Sequence, residues 1–305
     1  MVEIKRILCP VDFSESSRAA LKYAVGFARW YESEIIVFHA YGIPMPAPLL
    51  GAYPSPFAVE SVPSPQETHE QIASELTRFL DSLQSPGLSI RPEARACDPV
   101  RGILAEAASL PADLLVMGTH GRGGLDRLVL GSVAEKVLRK AQCPVLTVPP
   151  QGADAPAEIS VLLERILCPV DFSDSSMKAL TYAVSLAQES DAQLLLMHVV
   201  EALPLWDAEM ANRFDISRYE RELMEDARAR MRKAVPDQAR TWCRPEELVS
   251  TGKAYREILR VARERDAHVI VMGVHGRNPL DLMLFGSTTH HVVRAATCPV
   301  LTLRG

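Results

Sequence analysis

The sequence predicts an α/β protein built from two copies of one domain, each a parallel sheet with helices on both faces. Three observations predict this fold. The stretch RILCPVDFS at 6–14 returns 159 residues later, at 165–173. The blocks 116–132 and 143–148 both return 155 residues later. In each copy, short apolar runs alternate with amphipathic stretches, and continuous apolar strands are typical of parallel sheets buried on both faces.

The length of the repeat sets the domain boundaries. Solenoid repeats run at roughly 20–50 residues, whereas this repeat is about half the chain and has the size of an ordinary domain. We therefore expect a first domain at 1–150, a linker at 151–162 and a second domain at 163–305.

The first copy opens with a strand at 4–11. Ser14 is placed to cap a helix that runs to Tyr31, with Ser17 as the alternative cap. Residues 41–65 hold seven of the chain's 22 prolines and are predicted to be a loop. Apolar runs and helical spacing predict the other elements: strand 34–40, helix 66–84, strand 88–96, helix 99–110, strand 113–118, helix 132–141 and strand 143–148.

The second copy repeats this order, and its strands are expected to be apolar throughout like those of the first. A strand at 163–170 is followed by helix 174–189 and strand 192–199, and a long charged helix is predicted around 208–234. The remaining elements are strand 246–250, helix 252–265, strand 268–273, helix 287–296 and strand 298–303.

Composition excludes several classes of protein. The net charge is −5, from 33 basic and 38 acidic residues, which does not fit a basic nucleic-acid binder. No apolar run approaches the ~18 residues of a membrane span, and the N-terminus lacks the pattern of a secretory signal. Six cysteines without a CxxC motif favour a reducing compartment. We expect a cytoplasmic protein with neither a nucleic-acid nor a membrane partner, and with its Cys-Pro cysteines as small buried apolar groups.

A glycine signature, G-x2-G-x9-G-S, occurs in both copies. It comprises Gly118, Gly121, Gly131 and Ser132 in the first copy, and Gly273, Gly276, Gly286 and Ser287 in the second. Glycines at a strand end let the backbone approach a ligand, and a Gly-Ser pair that opens a helix presents unpaired N–H groups to a phosphate. The spacing matches neither a Walker A loop nor a dinucleotide GxGxxG motif.

With these motifs in both halves, the whole chain resembles a tandem universal stress protein. The features that carry the resemblance are the opening ILCPVDFS, the glycine signature and the closing CPVL strand. The resemblance implies a five-stranded parallel sheet of order 3-2-1-4-5 in each domain. That order would place Asp12 and Gly118 on either side of the crevice where open α/β sheets bind ligands.

The resemblance to ATP-binding members also implies site residues. Asp12 would contact the nucleoside, the backbone near Ala40 would meet adenine, and the ribose and phosphates would lie against the glycine signature. The implied first site is completed by Met117, Gly118, Gly121, Arg122, Gly131, Ser132 and Val133. The implied second site consists of Asp171, Val199, Met272, Gly273, Gly276, Arg277, Gly286, Ser287 and Thr288.

The function expected on this basis is binding of ATP, with or without Mg²⁺, as a regulatory ligand in a stress response, with slow hydrolysis at most. The alternative is an ATPase or nucleotidyl-transfer enzyme that uses the same pocket. No paired carboxylates cluster in the glycine loop, although Asp126 and Asp281 repeat there. A protein that binds no nucleotide is the third reading, and a protein partner is left open.

Other interpretations of individual residues stay open. The two aspartates could assist the following helix, His120 and His275 could shape their loops, and the pair His290-His291 could be a solvated helix face rather than a metal site. We expect valine at Gly118 or Gly131 to abolish nucleotide binding without unfolding the domain, because a Cβ would occupy ligand space and strain a positive φ.

The copies differ in the glycine loop. Gly123-Gly124 is replaced by Asn278-Pro279, and Arg127 by Leu282, so the first site is expected to bind ATP more tightly. The closing strands, Val145–Val148 and Val300–Leu303, are expected to pair and join the halves as an intramolecular pseudo-dimer, because exposed edge strands tend to be covered. Further homodimerisation is left open.

Overall fold

The computed structural model describes residues 2–42, 64–81, 83, 87–121, 130–150, 163–201, 216–237, 239–240, 245–275 and 286–304. Several sequence predictions fall outside these ranges: the linker, most of the proline-rich loop, and the glycine-loop residues Arg122, Gly276 and Arg277. Asp126 and Asp281 also lie outside them, as do the loop differences at 123, 124, 127, 278, 279 and 282.

The first domain follows the predicted order of elements. Its strands are β1 (Arg6–Pro10), β2 (Glu34–Tyr41), β3 (Ile90–Ala96), β4 (Leu114–Gly118) and β5 (Val145–Val148). Its helices are α1 (Glu15–Tyr31), α2 (Pro65–Asp81), α3 (Pro99–Ser109) and α4 (Ser132–Lys140). The predicted helix 66–84 is thus too long at its C-terminal end, since it stops at Asp81 and Leu83 lies in a turn.

The second domain repeats the pattern. Its strands are β6 (Arg165–Pro169), β7 (Gln193–Val200), β8 (Glu246–Thr251), β9 (Val269–Gly273) and β10 (Val300–Leu303). Its helices are α5 (Asp174–Ser190), α6 (Ile216–Ala234), α7 (Ala254–Glu264) and α8 (Ser287–Ala295). The charged helix predicted at 208–234 is described only from residue 216 onward.

Each domain has the strand order 3-2-1-4-5, and the two sheets form one ten-stranded sheet, β3-β2-β1-β4-β5-β10-β9-β6-β7-β8. All neighbouring strands are parallel except β5 and β10, which pair antiparallel with Leu146 opposite Leu301. Buried Thr147 donates its hydroxyl to the Val300 carbonyl at 3.1 Å, and Thr302 donates to the Val145 carbonyl at 3.2 Å. The predicted pairing of the closing strands within the chain is therefore confirmed.

The helices cover both faces of this sheet. One buried apolar cluster contains residues of α1, α2, α5 and α6, and a second contains residues of α3, α4, α7 and α8. The expectation that every strand is apolar is wrong for the two outer strands, β3 (IRPEARA) and β8 (EELVST), which have no fully buried residue. These are the edges of the sheet, where charges and Pro92 discourage pairing with another chain.

Candidate functional site

The end of β1 is built around a left-handed phenylalanine. Phe13 has a φ of 63°, and its counterpart Phe172 has a φ of 64°. This conformation turns the chain so that Ser14 becomes the N-cap of α1, accepting a hydrogen bond from the Ser17 amide at 3.2 Å. The predicted cap Ser14 is thus confirmed and the alternative Ser17 is wrong.

Each strand-end aspartate braces this turn. Asp12 Oδ1 accepts hydrogen bonds from the Ser14 amide at 3.1 Å and the Ser14 hydroxyl at 2.5 Å. Asp171 accepts the same two bonds from Ser173, at 3.0 and 2.5 Å. Assistance to the following helix, which the sequence left open, is therefore one role of these carboxylates.

The other carboxylate oxygen of Asp12 lies beside the glycine loop. An ideal Cβ at Gly121 would be 2.8 Å from Asp12 Oδ2, so a side chain at this position would push the carboxylate aside. Asp12 and the start of the loop consequently face each other across the ends of β1 and β4, as expected at the switch point of a doubly wound sheet.

Gly131 and Gly286 are the N-caps of α4 and α8 and line the same crevice as the aspartates. The Gly131 amide donates to the Thr119 carbonyl at 2.8 Å, and the Gly286 amide donates to the Val274 carbonyl at 3.1 Å. Neither N-cap glycine supplies a side-chain cap to its helix. The first amides of both helices thus have no side-chain cap, and the residues at both helix starts line the cleft, where a helix N-terminus carries partial positive charge.

A cleft occupies this position in each domain. The first, of about 670 Å³, is lined by all the described members of the predicted first site: Asp12, Ala40, Met117, Gly118, Gly121, Gly131, Ser132 and Val133. The second, of about 700 Å³, is lined by Asp171, Val199, Met272, Gly273, Gly286, Ser287 and Thr288. The structure thus gathers these residues around one cleft per domain, while Arg122, Gly276 and Arg277 lie outside the described residues.

The positive φ expected at Gly118 and Gly131 is wrong. Among the described glycines, only Gly87 and Gly252 have a positive φ, and Gly131 has a φ of −60°. An ideal Cβ at Gly118 would lie 2.3 Å from Ser16 Oγ and 2.9 Å from the Ser16 carbonyl carbon. The missing side chain therefore lets α1 pack against the end of β4, and Gly273 has the same relation to Ser175.

Two histidines outside the repeated sequence motifs support the strand ends. His39 donates from Nδ1 to the Val11 carbonyl at 2.7 Å, and His198 does the same to Val170 at 2.7 Å. Their rings lie against the left-handed phenylalanines, with centroids 4.4 Å and 4.8 Å apart. Their spacing of 159 residues, the same as that of the opening motif, could have identified them.

His120 and His291 make contacts within their own segments or with a neighbouring helix. His120 Nδ1 lies 2.9 Å from the Thr119 hydroxyl, which agrees with a role in shaping the loop. His291 Nδ1 donates to the Ser287 carbonyl at 2.7 Å, and its ring stacks on Tyr255 with centroids 4.5 Å apart. Burial lowers the pKa of His290. Within the described ranges, no group of three or more His, Cys, Asp or Glu side chains could hold a metal ion.

The fold and the paired clefts define a doubly wound α/β protein with one cleft at the topological switch point of each domain. The Universal stress protein family matches residues 3–149 and 163–304, and the chain therefore belongs to that family. In the part of the chain that the structure describes, no helix has the length and apolar character needed to cross a membrane.

Individual relatives agree with a tandem arrangement. A universal stress protein of Mycolicibacterium smegmatis is 28% identical over 308 residues, which covers 98% of this chain and 96% of the relative. Universal stress protein MJ0531 of Methanocaldococcus jannaschii is 33% identical over 144 residues, covering 47% of this chain and 81% of the relative. The crystal structure of a universal stress protein from Archaeoglobus fulgidus has a TM-score of 0.64 at 22% identity and 98% coverage of both chains, a likeness of fold.

Proposed function

We propose that this universal stress protein binds an adenine nucleotide, ATP with or without Mg²⁺, in each of its two clefts as a regulatory ligand. The observation that carries the proposal is the repeated pairing, across one cleft, of a strand-end aspartate with a helix N-terminus that opens on Gly-Ser. Helix N-termini of this kind favour phosphate, and the carboxylate is placed to accept hydrogen bonds from a nucleoside hydroxyl.

The clefts have the size and lining that such a ligand needs. Volumes of about 670 and 700 Å³ lie within the range of roughly 300–1,000 Å³ typical of small-molecule sites. The floor of the first cleft is apolar, with Phe38, Ile103 and Met117 among its lining residues. A flat base would pack against these side chains while the phosphates reach Gly131, Ser132 and Val133.

The proposal is tested first by stoichiometry. Native mass spectrometry of the purified protein and calorimetric titration should both give two adenine nucleotides per chain. Asp12→Asn and Asp171→Asn should each weaken one site at least fivefold, because Asn keeps an acceptor for the serine amide but loses the charge. The matched controls are Glu15→Gln and Asp174→Asn, which change exposed carboxylates in the first turn of α1 and α5.

Hydrolysis and regulation are tested separately from binding. If ATP is a regulatory ligand, its hydrolysis in a single-turnover experiment should be slower than its dissociation from the cleft. Binding of ATP should also change amide hydrogen exchange in α4 and α8. Rapid turnover would favour the alternative enzyme, and absence of any nucleotide at either site would refute the proposal. The cytoplasmic location belongs to the same proposal and is tested by fractionation of the native host.

A further inference from the structure

The second cleft extends into a lobe that the first cleft lacks. One face of α6 lines it with Leu223, Asp226, Ala227 and Arg230, residues three or four apart and therefore on the same side of the helix. The end of β7 closes the lobe with Val200 and Glu201. Among the described residues, none from α2, the corresponding helix of the first domain, lines the first cleft.

The two domains also differ in the side chain that packs on the strand-end phenylalanine. In the first domain, the buried ring of Phe79 packs edge-on against Phe13, with centroids 5.5 Å apart. In the second domain, Arg230 instead packs on the ring of Phe172, and its guanidinium carbon lies 3.9 Å from the ring centroid. An aromatic side chain in one copy is thus replaced by a cation in the other.

Arg230 rests on a rigid support. Phe172 is fixed by its left-handed backbone and by the ring of His198, which is itself hydrogen-bonded to the Val170 carbonyl at 2.7 Å. A guanidinium held over an aromatic face keeps its N–H donors for a ligand, and less side-chain entropy is lost when they bind. Arg230 and Asp171, the carboxylate assigned to the nucleoside, line the same cleft.

We propose that Arg230 forms an anion subsite in the second cleft. This inference rests on the proposed nucleotide site, and it assigns to that cleft a preference for a nucleotide with an additional phosphate on its ribose. The 5′-phosphates would remain at Gly286, Ser287 and Thr288.

The charges around Arg230 set the size of the preference. Asp226 and Glu201, both exposed, also line the lobe and oppose an anion, so the gain is smaller than that of an isolated cation. In the first cleft, Asp12 and His120 are the only titratable side chains among the described lining residues. No arginine or lysine is among the described lining residues of that cleft, and the inference is limited to the second cleft.

The test uses the full chain with Asp12→Ala, which weakens the first cleft, and compares AMP with adenosine 3′,5′-bisphosphate by calorimetry. The second cleft should bind the bisphosphate about three- to tenfold more tightly than AMP. Arg230→Gln should remove this preference, so that the variant binds the bisphosphate and AMP with equal affinity. The control is Arg228→Gln, an exposed arginine of the same helix that does not line the cleft.

The outcomes separate this inference from the proposed function. If AMP and ATP bind but the bisphosphate is not preferred, or if Arg230→Gln keeps the preference, the subsite is refuted and the nucleotide site stands. If no nucleotide binds the second cleft, both are refuted there. Arg230 is exposed, so Arg230→Gln should fold, and an unchanged melting temperature checks this. Arg230→Lys should retain part of the preference, because the charge remains while the planar donors are lost.

Discussion

At the scale of single residues, glycine at the end of β4 serves packing as well as ligand approach. Gly118 lines the first cleft through its backbone, but its missing Cβ makes room for Ser16 of α1. The same holds for Gly273, where a Cβ would lie 2.7 Å from Ser175 Oγ and 2.8 Å from the Ser175 carbonyl carbon. A substitution here therefore acts on the fold before it acts on the ligand.

We accordingly expect Gly118→Ala to lower the free energy of unfolding by about 1–3 kcal/mol, because the Cβ overlaps backbone that cannot move aside easily. Urea denaturation measures the change. Gly42→Ala is the control, since an ideal Cβ at Gly42 has nothing within 4 Å. A Gly118→Ala protein that is as stable as the parent, yet unable to bind nucleotide, would show instead that this glycine serves ligand binding alone.

The cysteines lead to a second prediction. Burial raises the pKa of the thiols of Cys9 and Cys168, and it raises that of Cys143 to about 11 and that of Cys298 to about 12. At pH 8 a thiol with a pKa of 11 is about one part in a thousand thiolate, the form that reacts. Alkylation at pH 8, followed by peptide mapping, should therefore modify Cys143 slowly, and Cys9 and Cys168 only after denaturation.

The pH dependence of the alkylation rate gives a further test. The rate at Cys143 should rise about tenfold per pH unit up to its pKa, because the thiolate fraction rises in that proportion. Fast modification of Cys9 in the native protein would contradict its burial at 0% exposure.

At the scale of elements, α4 and α8 begin alike but differ in charge. Glu135 lies in the first turn of α4 and forms an ion pair with Arg139 at 2.8 Å, whereas the first turn of α8 has no acidic residue. An acid at this position reduces the attraction of a helix N-terminus for phosphate. The described helices thus oppose the expectation, based on Arg122 and Arg127, that the first site binds ATP more tightly.

Glu135→Gln should therefore tighten ATP binding at the first site about two- to fivefold, the equivalent of roughly 0.3–1 kcal/mol at a helix terminus. Calorimetry in an Asp171→Ala background isolates that site. Glu75→Gln in α2 is the control, because it removes an exposed acid that does not line the cleft. An affinity that is unchanged, or equal to that of the control, would show that Arg139 already neutralises Glu135.

The elements also show what the sequence could and could not predict. Continuous apolar runs identified the inner strands, because both faces of those strands are buried. The outer strands β3 and β8 could be predicted only from their place in the repeat. Strands at the edge of a sheet carry polar residues, so neither has a continuous apolar run. The resemblance placed Asp12 and Gly131, but Arg230 comes from a helix whose sequence has diverged between the copies, so repetition gave no signal for it.

At the scale of the whole molecule, antiparallel pairing of β5 with β10 decides where the clefts lie. Strands within each domain are parallel, and ligand crevices lie at their carboxyl ends. Because the strand direction reverses between β5 and β10, the carboxyl ends of the strands point in opposite directions in the two domains. The two clefts therefore lie at opposite ends of the strands of the continuous sheet. Among the described residues, none lines both clefts, so any coupling between them has to pass through the junction strands or the helices beside them.

The junction gives the last prediction, that each half alone will self-associate. Separation at the linker exposes β5 on one half and β10 on the other, both of them fully buried strands in the whole chain. An apolar edge of this kind pairs readily with another copy, and the Thr147 or Thr302 hydroxyl can then bond to the partner's strand. Sedimentation of residues 1–150 and 163–305 should therefore show dimers.

Leu146→Lys and Leu301→Lys provide the matched test of that interface. These residues face each other at the centre of the β5–β10 pairing and are 1% exposed. A lysine there would place two like charges together in a homodimer, so each variant half should sediment as a monomer. Circular dichroism should show that the monomer keeps its helices. If both unmodified halves remain monomeric at high concentration, the continuous sheet depends on the covalent linkage rather than on the affinity of its edges.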